Sequence, residues 1–173
     1  MTLSRADASR QLDGAGLRAK RALGQNFVVD PNTVRRIARL AGIDGHPHVL
    51  EIGAGLGSLT LALAETGSQV TAVEVDDQLI PLLQENVGTL ANVRVVHADA
   101  MKLDWSDLLA GSDDWSLVAN LPYNVATPLV ADVLDFVPQV RRMLVMVQKE
   151  VGERFCASPS TGAYGALSVK VAF

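Results

Sequence analysis

The chain contains one pattern of strand, glycine turn and helix that strongly constrains its fold. Residues 48–52, HVLEI, are an apolar run of strand length that leads directly into GAGLG at 53–57. A helix is predicted over 58–65 and a second strand over 69–75. This order opens a nucleotide-binding βαβ unit, in which glycines let the backbone approach a ligand closely. The sequence therefore predicts an α/β domain with a mostly parallel sheet flanked by helices.

Strands and helices continue to alternate along the chain. Asp30 and Pro31 have the character of an N-cap and a first helical residue, and the helix that they begin should end at Gly42. Residues 1–19 alternate small and charged types, so we expect a flexible N-terminal arm followed by a folded domain over 20–173. Further strands are predicted over 92–97, 116–120 and 141–147, and further helices over 78–87, 125–137 and 148–154.

Four residues of possible ligand-binding character fall at the ends of four successive predicted strands: Gly53, Glu74, Asp99 and Asn120. Glu74 follows the glycine turn by about twenty residues, where an acid commonly binds ribose hydroxyls. Asp99 is placed to accept a hydrogen bond from an adenine amino group. Each acid alone could equally be a solvated strand end or a helix cap. Because open α/β sheets bind ligands at the carboxyl ends of their strands, the shared position favours one ligand site.

The glycine spacing distinguishes between two classes of cofactor. GAGLG followed by Ser58 is a GxGxG pattern, whereas dinucleotide enzymes use GxGxxG to place a pyrophosphate at a helix N-terminus. The mismatch favours a ligand without phosphates, and S-adenosylmethionine over NAD.

The segment Asn120, Leu121, Pro122 and Tyr123 follows a strand and precedes a helix, and it can serve a nucleobase amine. The Asn120 side chain and the Leu121 carbonyl, held by the rigid proline, would present two acceptors to one amino group. Tyr123 would offer a ring on which a base can stack. The alternative is a strand-to-helix loop with a buried tyrosine.

Charge is distributed unevenly along the chain. The net charge is −4, but residues 1–40 carry eight basic and three acidic side chains, so the remainder has an excess of nine acidic ones. A basic entry face for a phosphate backbone and a solvated helix face are both compatible with this pattern.

Several classes of protein are disfavoured. Cys156 is the only cysteine, so an internal disulfide and a thiolate zinc site are excluded. His46, His48 and His97 lack ligand spacing with acidic residues, and we expect no metal site. No apolar run approaches the roughly 20 residues that span a bilayer. A cytoplasmic protein without a membrane partner is therefore expected.

Five motifs occur in one order along the chain: LGQNF at 23–27, LEIGAGLG at 50–57, NLPYN at 120–124 with Thr127 and Pro128, VQKEV at 147–151 and YGALSV at 164–169. Together they resemble the ribosomal RNA adenine dimethyltransferases, and more closely the small-subunit rRNA enzymes than the antibiotic-resistance methylases of large-subunit rRNA. The resemblance implies a Rossmann-like class I S-adenosylmethionine-dependent methyltransferase. The enzyme would dimethylate N6 of two adjacent adenines near the 3′ end of small-subunit rRNA, on the assembling 30S subunit. We expect a monomer.

The resemblance also implies roles for individual residues. Asn120 to Tyr123 would form the catalytic segment, with Asn120 contacting both cofactor and target. Val28 stands where the family often has leucine, and Ala54 where it often has proline. The cofactor would be bound by Asn26 and Val28 at its methionine end, by Gly53 and Gly55 through the backbone, by Glu74 at the ribose, by Asp99 at the adenine and by Asn120.

Members of this family usually continue through further strands into a small helical domain, whereas this sequence ends at Phe173. We therefore expect a truncated domain that keeps the cofactor pocket, lacks part of the RNA-docking surface and leaves its last strand at an exposed edge. Activity of the chain by itself is left open. Other readings are a methyltransferase for adenine N6 in large-subunit rRNA or DNA, a non-catalytic nucleic-acid-binding relative, and an NAD-dependent oxidoreductase.

Overall fold

The computed structural model describes residues 2–17 and 28–172, and its centre is a five-stranded sheet in which every neighbouring pair of strands is parallel. The strand order is β3-β2-β1-β4-β5. Each predicted strand is present with ends within one residue of the prediction. The α/β fold class is therefore confirmed. The strands are β1 (His48–Ile52), β2 (Gln69–Glu74), β3 (Val93–His97), β4 (Trp115–Asn120) and β5 (Val140–Met146).

Helices connect the strands, and their ends follow local signals in the sequence. The Asp30 side chain accepts a hydrogen bond from the Thr33 N–H, and Pro31 is the first helical residue, as predicted. Gly42 follows this helix with φ of 59°. The helices are α1 (Arg5–Gly14), α2 (Pro31–Leu40), α3 (Ser58–Ala64), α4 (Ile80–Val87), α5 (Trp105–Leu108), α6 (Tyr123–Phe136), α7 (Lys149–Phe155) and α8 (Ala166–Ala172).

Helices cover both faces of the sheet. Successive residues of a strand point to opposite sides, so each strand contributes side chains to both apolar layers. Leu50 and Ile52 of β1 pack in one apolar cluster with Leu129 of α6. Val49, between them, packs in a second cluster with Val34 of α2. Burial on both faces explains why the strands are nearly continuous apolar runs.

The strand order places a crevice between β1 and β4. The chain proceeds from β1 outward through β2 to β3, and then returns to add β4 and β5 on the other side of β1. Such a reversal separates the loops that follow the two central strands, and ligands bind at the carboxyl ends of the strands at this position. The loops after Ile52 and Asn120 are therefore expected to border the ligand site.

The N-terminal segment, for which a flexible arm was predicted, contains a capped helix. The Ser4 hydroxyl accepts a hydrogen bond from the Asp7 N–H, and the Asp7 carboxylate accepts one from the Ser4 N–H. This capping box starts α1. Ala8 of α1 is buried in an apolar cluster with Leu56 and Leu79. The helix was not predicted because the segment has few apolar residues, and only one side of the helix packs against the rest of the protein. The predicted boundary at residues 19 and 20 lies outside the described residues.

The described chain ends in α8, which packs against α6 and α7. The Ser168 hydroxyl within this helix donates to the Arg154 carbonyl at 2.6 Å. β5 is the last strand and lies at one edge of the described sheet. Within residues 2–17 and 28–172, no helix has the length and apolar character that crossing a bilayer requires.

Candidate active site

A cavity of about 370 Å³ lies at the carboxyl ends of the strands. All four strand-end residues predicted to bind a ligand, Gly53, Glu74, Asp99 and Asn120, line it. The structure therefore brings these residues together around one cavity, although they lie up to 67 positions apart in the sequence. The other lining residues include Val28, Glu51, Gly55, Leu56, Ser58, Leu59, Met101, Leu121, Pro122 and Met146.

The glycine loop, defined as residues 53–57, forms the floor of this site between β1 and α3. The Gly53 and Ala54 N–H groups both donate to the Val73 carbonyl, at 2.9 and 3.1 Å. Gly53 and Gly55 have φ of 78° and 58°, a region that disfavours residues with a Cβ. The loop thus turns sharply away from the sheet and keeps its backbone exposed to the cavity.

Glu74 is buried at the end of β2, where it binds the glycine loop directly. Its Oε2 accepts a hydrogen bond of 2.7 Å from the Gly55 N–H. Its Oε1 accepts bonds of 2.9 Å from the N–H groups of Val75 and Asp76. A carboxylate has about four acceptor positions, so three are used by the backbone. Glu74 consequently has a structural task in addition to the predicted contact with a ribose.

Asp99 follows β3 and caps the short 3₁₀ turn Ala100–Lys102. Its Oδ1 accepts from the Met101 N–H at 3.0 Å, and its Oδ2 lies 3.4 Å from the Lys102 ammonium. The Lys102 side chain is 82% exposed, so this ion pair is weak and readily exchanged. The Asp99 carboxylate can therefore accept a further hydrogen bond from a ligand in the cavity.

The catalytic segment predicted at residues 120–123 joins β4 to α6. Leu121 is buried, and its N–H donates to the Met146 carbonyl at 2.9 Å. The Pro122 carbonyl accepts both N–H groups of the first helical turn, from Val125 and Ala126, at 3.0 Å. These bonds hold the segment between a neighbouring strand and a helix start. The Leu121 carbonyl accepts no hydrogen bond from the Val125 or Ala126 N–H.

Tyr123 is not buried, in contrast to the alternative reading of a core tyrosine. Tyr123 is 55% exposed at the start of α6 and is not among the residues that line the cavity. Asn120, by contrast, is half-buried and lines it. The ring is thus available to a partner that approaches from outside, next to the residue that faces the cavity.

Of the two residues predicted to bind the methionine end of the cofactor, Val28 and Asn26, only Val28 is among the described residues. Val28 is described and lines the cavity, where it adds to an apolar wall with Leu59 and Met146. Asn26 and the whole LGQNF motif lie outside the described residues. The apolar wall suits an uncharged alkyl group beside the half-buried Asn120.

Two polar groups in the cavity were missed from the sequence. Glu51 of β1 is 1% exposed, and its Oε2 has no hydrogen-bond partner among the described residues; the buried Ser58 hydroxyl is likewise unpartnered there. Burial raises the pKa of the Glu51 carboxyl to about 8; the Thr60 hydroxyl opposes this rise and the Glu74 carboxylate adds to it. An acid flanked by the apolar residues Leu50 and Ile52 in a predicted buried strand was the signal that could have identified Glu51.

The arrangement suits a nucleoside with a polar tail better than a metal ion. Buried polar atoms are normally hydrogen-bonded, so the unsatisfied Glu51 and Ser58 oxygens indicate that a polar ligand or water completes the site. Apolar walls with a few placed polar groups are typical of cofactor sites. In the described parts of the chain, no group of three His, Cys, Asp or Glu residues could hold a metal.

Comparison with known proteins gives concordant matches. The family model described as "Ribosomal RNA adenine dimethylase" matches residues 16–173. A protein of Bifidobacterium longum subsp. infantis named "Ribosomal RNA small subunit methyltransferase A" is 46% identical over 181 residues. That alignment covers 99% of this chain but 58% of the relative. The chain therefore spans somewhat over half the length of the curated relatives that it matches.

Solved structures share the fold. A dimethyladenosine transferase from Plasmodium falciparum superposes with a TM-score of 0.70 at 27% identity, covering 82% of this chain and 50% of that one. The structure titled "23S rRNA methyltransferase ErmE" superposes with a TM-score of 0.61 at 31% identity, covering 81% of this chain and 53% of that one.

Proposed function

Because the chain belongs to the ribosomal RNA adenine dimethylase family, we propose that it is the cofactor-binding part of an enzyme that dimethylates adenine N6 in small-subunit rRNA. The observation that supports this most strongly is the single cavity lined by Gly53, Glu74, Asp99 and Asn120. The proposal concerns the whole protein, because the curated relatives are longer than this chain.

S-adenosylmethionine is the proposed cofactor, and the residues present fit it. Glu74 and Asp99 offer carboxylate acceptors at successive strand ends, where ribose hydroxyls and an adenine amino group could bind. The Glu51 and Ser58 oxygens, which have no partner within residues 2–17 and 28–172, leave polar capacity for an amino-acid tail. Val28 would contact that end. When bound, S-adenosylmethionine supplies an electrophilic methyl group on a sulfonium.

Asn120 and the Leu121 carbonyl would orient the target amine. Hydrogen bonds from both N6–H groups to two acceptors fix the direction of the nitrogen and favour its action as a nucleophile. The rigid Pro122 and the Leu121 bond to Met146 hold the two acceptors in place. The N6 amine held by these two acceptors would receive the methyl as its bond to sulfur breaks, and would release one hydrogen as a proton. Positioning and electrostatics, rather than a dedicated base, then carry the rate enhancement.

Tyr123 would hold the adenine from the outside. A target base must leave its RNA stack to reach the cavity, at a cost of about a few kcal/mol. Stacking on an aromatic ring returns about 1–3 kcal/mol per base. The exposed position of Tyr123 beside Pro122 is compatible with this use.

We propose small-subunit rRNA, rather than large-subunit rRNA, as the substrate. The supporting observation is that the curated relative at 46% identity over 99% of the chain is named for the small subunit, whereas the 23S enzyme is 31% identical in its superposition. On the same ground we propose the assembling 30S subunit as the partner; a cytoplasmic location and a monomeric state stay predictions.

Calorimetric titration and a methyl-transfer assay together test the proposal. We expect the chain to bind S-adenosylmethionine but not NAD. A full-length relative carrying this domain should transfer label from the cofactor to unmethylated small-subunit rRNA and leave large-subunit rRNA unlabelled. Preferential labelling of large-subunit rRNA would support the alternative substrate. Absence of cofactor binding in both proteins would contradict the proposed function.

A further inference from the structure

Asn86 of α4 lies between the N-terminal helix and the glycine loop, and its side-chain amide contacts both. Its Nδ2 donates to the Leu56 carbonyl at 2.8 Å. The same Nδ2 donates to Gln11 Oε1 at 3.0 Å, and Gln11 Nε2 donates back to Asn86 Oδ1 at 2.6 Å. Both amide hydrogens of Asn86 are thereby used. One side chain thus joins α1, α4 and the loop.

The two halves of the loop are held differently, and the second half has one backbone hydrogen bond within the loop, from the Gly57 N–H to the Ala54 carbonyl at 2.9 Å. Gly53 and Ala54 are bound through Val73, and Gly55 through Glu74, so the first three residues are fixed by β2. The Leu56 carbonyl belongs to the second half of the loop, and Leu56 lines the cavity. Asn86 therefore supplies a side-chain anchor for the half that leads into α3.

The N-terminal helix fixes Asn86 in turn. Ala8 of α1 packs with Leu56 and Leu79 in one apolar cluster, so α1 lies against both the loop and the start of α4. Gln11, one turn after Ala8, pairs with Asn86 through two reciprocal hydrogen bonds. A cyclic amide pair restricts rotation of both side chains, which keeps the second Asn86 hydrogen directed at Leu56.

We infer that Asn86 is a positioning residue for the cofactor site: with Gln11 it holds the Leu56 half of the glycine loop in the conformation that binds the cofactor. Asn86 itself is absent from the cavity wall and acts through the Leu56 backbone. The N-terminal helix is thereby part of the support of the binding site. The inference about affinity rests on the proposed function, whereas the inference about the loop does not.

Asn92 provides a matched control. Its Nδ2 also donates to two backbone carbonyls, those of Ala64 at 3.0 Å and Ser68 at 2.9 Å, and it is likewise half-buried. These bonds lie near the amino end of β2 and outside the cavity wall. Asn86→Ala and Asn92→Ala remove the same chemical group. A difference in loop exchange or cofactor affinity between the two variants therefore comes from where the amide lies, and not from the loss of an amide as such.

Hydrogen exchange of the loop amides is the first measurement. In the unliganded protein, we expect Asn86→Ala to accelerate exchange of the Gly57 N–H, which donates to the Ala54 carbonyl within the loop, and Asn92→Ala to leave it at the wild-type rate. The Gly55 N–H, which Glu74 holds, should exchange at the wild-type rate in both variants. Gln11→Ala should give an intermediate acceleration, because it frees Asn86 to rotate without removing its amide. It also serves as the milder variant if Asn86→Ala does not fold. Unchanged exchange in both Asn86→Ala and Gln11→Ala would overturn the inference.

Cofactor affinity is the second measurement. We expect Asn86→Ala to weaken S-adenosylmethionine binding by about three- to tenfold, the effect of one hydrogen bond. Asn92→Ala should bind as the wild type does. Equal affinities of Asn86→Ala and wild type would overturn the effect on binding. If neither the wild-type chain nor the full-length relative binds the cofactor, the proposed function fails, and the exchange result still decides whether Asn86 positions the loop.

Discussion

The Glu74 carboxylate accepts a hydrogen bond of 2.7 Å from the Gly55 N–H, and this contact joins the end of β2 to the glycine loop. The two residues are 19 positions apart in the sequence. The other carboxylate oxygen binds the N–H groups of Val75 and Asp76, which open the loop after β2. One buried acid therefore sets the relative position of two loops that border the cavity.

Glu74→Gln should damage both stability and binding. An amide has one acceptor oxygen, so its NH₂ group must face at least one of the backbone N–H groups that Glu74 now accepts. We expect the free energy of unfolding to fall by about 1–3 kcal/mol and S-adenosylmethionine binding to weaken. Urea denaturation and calorimetric titration measure the two effects. Asp77→Asn, an exposed acid nearby, should change neither; equal behaviour of the two variants would refute the role.

Gly57→Ala should be much more destabilising than Gly67→Ala. The two glycines have φ of 87° and 86°, so backbone strain of about 1–2 kcal/mol is common to both. A Cβ on Gly57 would lie 2.9 Å from Leu83 Cδ1 and 3.0 Å from Val87 Cγ1, both fully buried, whereas one on Gly67 meets nothing within 4 Å. We expect Gly57→Ala to cost at least about 1 kcal/mol more by urea denaturation. Equal losses would show that strain alone matters.

Glu51→Gln should change how stability depends on pH. Folding raises the pKa of Glu51 from 4.5 to about 8, so between these values the folded state retains a proton that the unfolded state has lost. This group therefore lowers stability progressively as pH rises through that window, by on the order of a few kcal/mol in total. The variant should gain stability relative to wild type from pH 5 to pH 8 and show no further gain above. A difference that is constant from pH 4 to pH 9 would argue against a neutral buried acid.

Asn120→Ala should abolish methyl transfer while the protein remains folded. The change removes an acceptor from the end of β4 rather than a large apolar side chain. Asn120→Asp keeps an acceptor oxygen at the same place and should retain more activity than the alanine variant. Transfer to rRNA is measured for both in a full-length protein, with circular dichroism to verify the fold. Near wild-type turnover in Asn120→Ala would reject the proposed role.

Tyr123→Ala should weaken binding of the target more than binding of the cofactor. The side chain is 55% exposed, so we expect little change in thermal stability. Loss of base stacking should reduce affinity for a single-stranded, adenine-containing RNA by about 1–3 kcal/mol, while Tyr123→Phe retains it. Fluorescence anisotropy with labelled RNA and calorimetry with S-adenosylmethionine separate the two. An equal loss of both affinities would count against stacking.

Much of the fold was predictable because its signals are local. Apolar runs bounded by turn residues located each strand to within one residue, and Asp30 with Pro31 marked the start of α2. The positions of Gly53, Glu74, Asp99 and Asn120 at strand ends also followed from the sequence, since parallel strands bring their carboxyl ends to one edge. Their contacts with a ligand stay predictions.

The sequence by itself determined the α/β fold, the sheet and the residues that would meet at its carboxyl edge, because period, turn chemistry and motif spacing are properties of neighbouring residues. Only the tertiary structure decided that α1 is a helix packed on the glycine loop, that Glu74 binds Gly55, and that Asn86 joins Gln11 to Leu56. It also decided that Glu51 is fully buried, and this burial raises its pKa. These features depend on the distance and solvent exposure of residues that are far apart in the chain, and no local pattern specifies either.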